Sequence, residues 1–372
     1  PILVPKRRLE FDQNASRRNS RYFAQPTQIQ SNKFLFLHQQ SKSQNRTCDE
    51  SCWDYKLQMR ITKLLFLVLL GTHFLGSAQT FDSKQVGVEL DNDLYTSIKN
   101  DRYYTNGITL FYAYLNQKQS PTLLKKTTEF RLGQYIYTPR TRLANAIKDN
   151  DRPFAGYLFG EANQTFFMAN HTVYQGTVQI GFVGPNSYAE EMQNGLHDAF
   201  SLRHVEGWQN QIRNTFALQT QFRFSQKLFP NVTIPHFDVH FQGQATLGTV
   251  QTALNSGFFA RIGLKNLQPI AHSNFYSGGV LGTTKTEELY FFIHPSLQYQ
   301  AYDATVQGSL FGTQSPVELD LIRWRWHTAL GIKYRYNHFN CHYTFFYRSK
   351  EVNHPVNTGY YYGSIGLTYS FR

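Results

Sequence analysis

From Val86 to the end of the chain the sequence falls into segments of about ten residues that alternate in polarity and are parted by Gly, Pro, Asn and Ser turns. In Tyr174 to Phe182, one face carries Tyr174, Val178, Ile180 and Phe182, and the other Gln175, Thr177 and Gln179. The same division sets Phe216, Leu218, Phe222 and Phe224 against Gln219, Gln221 and Arg223, and Trp324 and Trp326 against Arg323, Arg325 and His327. Successive side chains of a strand point to opposite faces, so each segment is a strand with one apolar and one polar side. A soluble sandwich alternates too, but it buries the apolar side and turns charge outward. Here the polar side is rich in Gln, Thr and Gly with scattered Arg, as a wet interior would be. The 31 Phe and 24 Tyr suit girdles at two membrane interfaces. Lipid offers no partner to a backbone N–H or C=O, so such strands must close on themselves. The expected fold is all-β, an antiparallel transmembrane β-barrel of about 12 strands, near 84–91, 104–115, 127–137, 156–168, 172–183, 212–224, 236–247, 257–265, 287–301, 322–335, 341–350 and 360–371. An even count puts both barrel ends of the chain on the periplasmic side. The connections after odd strands, among them 92–103, 138–155 and 184–211, then face outward.

The region before the strands has a different character. Met59 opens a stretch in which Arg60 and Lys63 precede the apolar run Leu64 to Leu70 and the small residues Gly76, Ser77 and Ala78. This reads as a signal peptide, too short for a membrane-spanning helix. The expected organisation is an upstream extension over 1–58 with no fold of its own, a signal peptide over 59–78, and the barrel domain over 79–372. Of the 37 Lys and Arg, 12 precede residue 79, with 5 of the 25 Asp and Glu, so a net charge of +12 for the chain becomes +5 for the barrel domain. The basic residues Arg7, Arg8, Arg17 and Arg18 go with the extension, and no nucleic-acid partner is expected. Only Cys341 remains beyond residue 79, which excludes an intrachain disulfide there, and no Cys stands at the cleavage site to carry a lipid anchor. A monomer in the outer membrane is expected.

Polar residues that could do chemistry gather in the outward connections. Gly184 to Phe200 reads as a short polar helix, with Ser187 placed to cap it and Glu190 and Glu191 in its first turns. Gln193 and His197 then lie four residues apart on one face, with Glu190 and Asn194 beside them. An imidazole in such company can take a proton from water near neutral pH; the plain alternative is a histidine that only finishes a loop helix. In the first outward connection, Asp91, Asn92, Asp93 and Thr105 offer the hard oxygens a calcium ion takes, or form no more than an acidic turn. In the second, Arg152 can hold a carboxylate or phosphate, or with Asp151 brace the next strand. Arg140, Arg142 and Lys148 make that loop basic, which suits an anionic lipid headgroup. His236, Asp238 and His240 share a strand face and raise a metal reading, against the commoner one of paired lumenal side chains.

Three patterns together resemble the outer-membrane lipid A 3-O-deacylase family over about residues 80–372: Asn92-Asp93 with Tyr104-Thr105-Asn106-Gly107, Asp151-Arg152-Pro153-Phe154-Ala155-Gly156, and Gly184-Pro185 leading to Glu191-Met192-Gln193-Asn194-Gly195-Leu196-His197. The resemblance implies a twelve-stranded barrel that hydrolyses the ester-linked acyl chain at the 3′ position of lipid A, part of lipopolysaccharide, in the outer leaflet, and that depends on calcium. It implies His197 as general base with Gln193 beside it, and Asn92, Asp93 and Thr105 around the metal. Lys148 is its candidate for the lysine of the second loop. Two other readings compete. One is a serine esterase barrel resembling outer-membrane phospholipase A, for which His272-Ser273-Asn274 is the nearest feature, although it falls in a periplasmic connection and no G-x-S-x-G elbow occurs. The other is a pore without enzymatic activity, for which the barrel pattern alone would suffice.

Overall fold

The computed structural model describes residues 82–96, 103–116, 120–276, 281 and 287–372. The extension expected over 1–58 and the signal peptide over 59–78 lie outside the described residues.

Twelve strands form one closed antiparallel barrel in which each strand pairs with its neighbours in sequence and the first pairs with the last. They are β1 (Lys84–Asn92), β2 (Tyr103–Asn116), β3 (Leu123–Thr138), β4 (Ala155–Met168), β5 (Thr172–Val183), β6 (Thr215–Lys227), β7 (Phe237–Gly248), β8 (Gln251–Gly263), β9 (Glu288–Asp303), β10 (Trp324–Tyr336), β11 (Phe339–Arg348) and β12 (Tyr360–Phe371). The eighth begins six residues before its expected start, leaving only Thr249 and Val250 between β7 and β8. Its outward positions there include Thr252 and Ser256, too polar to show the apolar alternation, and the turn is fixed by Thr249, whose N–H bonds the carbonyl of Leu218 and whose hydroxyl bonds that of Phe216.

The expected apolar faces point outward. Phe130, Leu132, Val178, Ile180, Phe216, Leu218, Trp324 and Trp326 are all exposed, while Thr165, Gln179, Gln219 and Gln300 on the opposite faces are buried. The interior is a polar network around a cavity of about 540 Å³. Arg131 pairs with Glu89 at 3.1 Å and Glu129 at 2.6 Å, and Arg223 donates to Gln175 and Gln244 at 2.7 and 2.9 Å. Asp238 is held by Arg261 at 2.9 Å and by His240 at 3.2 Å, and the ring of His236 lies against the Gly263 carbonyl, so the trio is paired within the wall.

The connection between β8 and β9 folds into the lumen. Phe275 stacks on Phe259 at 4.1 Å, Tyr276 donates to Gln242 at 3.0 Å, and Lys333 donates to the carbonyls of Asn274 and Phe275. Ser273 is fully buried there and donates to Glu288 at 3.1 Å, which removes it as an exposed nucleophile. At the other end, Arg152 is fully buried. It donates to Glu351 at 2.6 Å, to the Thr305 hydroxyl of the one-turn helix α2 (Ala304–Gln307) at 3.0 Å and to the Pro153 carbonyl at 3.1 Å, and its guanidinium lies 4.3 Å over the Tyr137 ring. Burial works against the charge on Arg152, but Glu351 and Asp303 outweigh it and keep the group protonated above its usual range. Burial alone would likewise raise Glu351, but Arg152 and Arg325 hold its carboxyl below the ordinary range. Of the two expectations for Arg152, bracing is the one realised: the carboxylate it grips is the chain's own, and no surface is left for a headgroup.

Candidate active site on the outer wall

Because consecutive strands alternate direction, the connections β1–β2, β3–β4 and β5–β6 leave from one end of the barrel, so Asp93 and His197 share a rim. That rim carries most of the long connections, the short β7–β8 turn apart, whereas at the other end β4–β5 and β10–β11 are tight turns and the long β8–β9 connection folds inward, close to the pattern of an outer-membrane barrel. The loops are also stitched together. Tyr103 donates to Asp151 at 2.7 Å, Leu143 and Glu206 form a parallel bridge, and the Asn210 side chain donates to the carbonyls of Ala144 and Asn145 at 3.0 Å.

Strand register fixes which face of the wall the candidates occupy. Asn92 lies opposite Asn106, Asn106 opposite Ile136, and Ile136 opposite Gly156, a single row across β1 to β4. Ile136 is on the same face of β3 as the exposed Phe130 and Leu132, and Asn106 on the same face of β2 as the exposed Leu110 and Tyr112. The row therefore faces outward, above the lipid-facing belt and away from the lumen. The Asn92 side chain accepts from the Leu94 N–H at 2.7 Å, capping the turn Asp93–Tyr95, and donates to the Asn106 side-chain oxygen at 2.5 Å. Asp93 is buried in that turn, which packs on β12, where the Tyr95 side chain lies over Gly363. Thr105 falls at an irregularity of β2 between Tyr104 and Asn106, and its side chain is outside the described residues. Asp91, by contrast, faces the lumen and accepts from Tyr104 at 2.6 Å, so it is not part of the outer row.

The expected helix exists as α1 (Ala189–Phe200) and lies against the outer face of β3 and β4. Its start differs from the expectation. Tyr188, in a left-handed conformation with φ 54°, is the N-cap, and Ser187 instead turns its hydroxyl back to the Gly184 carbonyl at 2.6 Å. The Pro185–Ser187 turn intervenes before the helix, so Ser187 is one residue too early to cap it. Burial and the neighbouring Glu191 raise the carboxyl of Glu190. Gly156 explains the close approach of helix to wall: a Cβ there would meet the Ser187 hydroxyl at 1.9 Å and the Ala189 methyl at 2.3 Å. Gln134, beside it on the outer face, donates to the Ser187 carbonyl at 2.6 Å. Ile136, Ala144, Phe154, Ala189, Val205 and Trp208 close over this contact as a small apolar core outside the barrel proper.

The buried stripe of α1 is Ala189, Gln193 and His197, at the four-residue spacing expected for Gln193 and His197. His197 Nδ1 is 2.5 Å from the Arg203 carbonyl. A carbonyl only accepts, so Nδ1 carries a proton, and in the neutral ring the lone pair is then on Nε2, the tautomer a general base requires. Gln193 has no exposed surface and accepts from the Trp208 indole at 3.0 Å. Neither Arg203 nor Trp208 stood out in the sequence. Lys148 is exposed in the Ile147–Asp149 turn on the loop that clasps the segment after α1. The start of the helix thus stands at the Gly156 end of the row, and from Asn92 to Gly156 is three strand spacings, roughly 14 Å. Among the described residues, no group of three or more His, Cys, Asp and Glu side chains could by itself hold a metal. Asp93, Asn92 and Asn106 offer one carboxylate and two amide oxygens, hard donors of the type calcium prefers but too few to complete its shell without water or a ligand.

Fold and site together define an outer-membrane barrel with a polar site on its lipid-facing wall. The family model described as outer membrane protein LpxR matches residues 64–371, and the chain belongs to that family. Its barrel is similar to the structure of LpxR from Salmonella typhimurium, with TM-score 0.62 and 20% identity over 77% of this chain and 100% of that one. A weaker likeness, with TM-score 0.42 and 8% identity, is to the β domain of the Bordetella autotransporter BrkA, over 78% of this chain and 100% of that one. No curated protein matches in sequence. The protein is an integral outer-membrane protein.

Proposed function

We propose that this barrel is a calcium-dependent lipid A 3-O-deacylase, a carboxylic ester hydrolase that removes the 3′-linked acyl chain of lipid A in the outer leaflet. The observation that carries the reading is the outward-facing row from Asn92 to Gly156 with the Gln193 and His197 stripe mounted beside it. A lipid can reach this place without leaving the membrane. His197 Nε2 takes a proton from water; the water oxygen bonds to the ester carbonyl carbon; the bond from that carbon to the sugar oxygen then breaks. The proton passes from His197 to the departing sugar oxygen, leaving a free fatty acid and a sugar hydroxyl. Asp93 and Asn92, with Thr105 by the resemblance, would hold calcium, which when bound supplies Lewis-acid stabilisation of charge on oxygen. Gln193 offers a neutral donor in the same stripe, and Lys148 an exposed cation for a headgroup phosphate. Arg152 has no part in substrate binding. Two observations speak against the rivals: Ser273 is enclosed at the opposite end, and the infolded β8–β9 connection and the Arg152 cluster project into the lumen.

The test uses the purified barrel with lipid A in mixed micelles and mass spectrometry of the products. Release of a 3-hydroxyacyl chain that a calcium chelator stops, that added calcium restores and that a serine-directed phosphonate leaves untouched is the expected result. Intact lipid A after incubation with calcium would overturn the reading.

A further inference from the structure

Gln193 is wholly buried, and its two terminal atoms are treated differently. Its oxygen accepts the Trp208 indole N–H at 3.0 Å, whereas its nitrogen is enclosed with no hydrogen-bond partner in the protein. Indole nitrogen can only donate, so the bond admits one orientation of the carboxamide: oxygen toward Trp208, NH2 away from it. An enclosed amide with two unmet donors is costly, and a fold keeps one where something else satisfies it. Trp208 is not carried by the helix whose residue it holds. It opens the Trp208–Asn210 turn after Gly207, whose φ of 120° and whose approach to the Ala144 carbonyl, 2.5 Å from where a Cβ would stand, leave no room for another residue. Its ring packs 4.9 Å from Phe154, and Asn210 ties the turn to the β3–β4 connection. The direction of the indole N–H is thus set outside the helix, by the later part of the same connection and its tie to the β3–β4 connection.

We propose that Trp208 is a positioning residue that locks the Gln193 carboxamide with its NH2 presented to the ligand, and that this NH2 donates to an oxygen of the reacting ester. The inference rests on the deacylase reading and deepens it. His197 and Gln193 then follow one plan, since the segment after the helix binds one end of each side chain, through the Arg203 carbonyl and the Trp208 indole, and in Gln193 leaves the enclosed NH2 at the other end without a protein partner.

The experiment is kinetic, on the full barrel, with Trp208→Phe, Gln193→Ala and the double variant. Phenylalanine keeps the ring against Phe154 and removes only the donor. In Trp208→Phe, kcat is expected to fall about tenfold while KM stays within about twofold and the folded barrel keeps its heat-modifiable mobility. In the Gln193→Ala background the same change is expected to lower kcat no further. A readout independent of turnover is the indole N–H resonance of Trp208, which should shift in Gln193→Ala while those of Trp324 and Trp326 stay in place. Unchanged kcat in Trp208→Phe, an equal loss in both backgrounds, or an unmoved resonance would overturn the inference while His197→Ala still marked a working deacylase. A wild-type barrel without deacylase activity would remove the reading and this inference together.

Discussion

The lumen and the outer rim use polar groups in opposite ways. Inside, charges are numerous and bound to one another: Arg131 to Glu89 and Glu129, Arg152 to Glu351, Arg261 to Asp238. On the outer wall the proposed site is built instead from the amides of Asn92, Asn106 and Gln193 and the imidazole of His197, with the carboxylate of Asp93 buried in its turn. A charge facing lipid is expensive, while a lumen can hold many if they pair. Charge therefore braces the cylinder, and groups that move one proton or donate one neutral hydrogen bond stand where a lipid passes.

The comparison can be broken most directly at His197. Its replacement by Ala is expected to cut acyl release by about 10²–10⁴-fold, the usual worth of a general base, with the barrel still heat-modifiable on a gel; undiminished release would take His197 out of the reaction. In the lumen, the largest effect should fall on stability. Arg152→Leu takes the close partner from buried Glu351, leaving it only Arg325 at 3.9 Å, and is expected to cost about 3 kcal/mol, read as a lower midpoint of denaturant unfolding in micelles. A side chain at Gly156 tests whether helix and wall must touch. Gly156→Val should cost about 1–3 kcal/mol by overpacking and lower kcat through displacement of α1, with β-sheet content in circular dichroism unchanged.

Acid sharpens the same contrast. The Glu351 carboxyl is held low by Arg152 and Arg325, so its contribution is fully present above the ordinary carboxylate value of about 4.3 and is lost as pH falls through the lower folded value. Thermal melts should show the wild-type midpoint dropping below about pH 4, and Glu351→Gln less stable at neutrality but flatter over that range. The smallest effect is expected at Lys148. Its change to Ala should raise KM a few-fold and leave kcat alone, since an exposed ion pair is worth about 0.2–1 kcal/mol; an equal fall in kcat would mean that it reaches the reacting ester.

What could be read in advance divides along the same line. Alternation is repeated in every strand, so the barrel, its strand number and the side on which Phe130 or Gln179 falls were legible. The start of β8 was not, because Thr252 and Ser256 face outward without being apolar. The stripe of Gln193 and His197 followed from helical spacing alone. The groups that orient it did not, because Arg203 contributes a backbone carbonyl, which every residue has, and Trp208 lies in a segment with no period. The faint signal was a large aromatic directly after a glycine in an otherwise polar loop. Arg152 offered both readings until the partner, Glu351, arrived from 199 positions away in sequence.

Mounting the site on the lipid side of the wall has a kinetic corollary. Molecules that reach Asn92 and α1 by gliding within a leaflet arrive in two dimensions, so occupancy follows their mole fraction among neighbouring amphiphiles and is indifferent to how many moles a millilitre contains. Adding inert detergent at fixed total lipid should slow such a protein, whereas diluting the whole suspension with buffer should not.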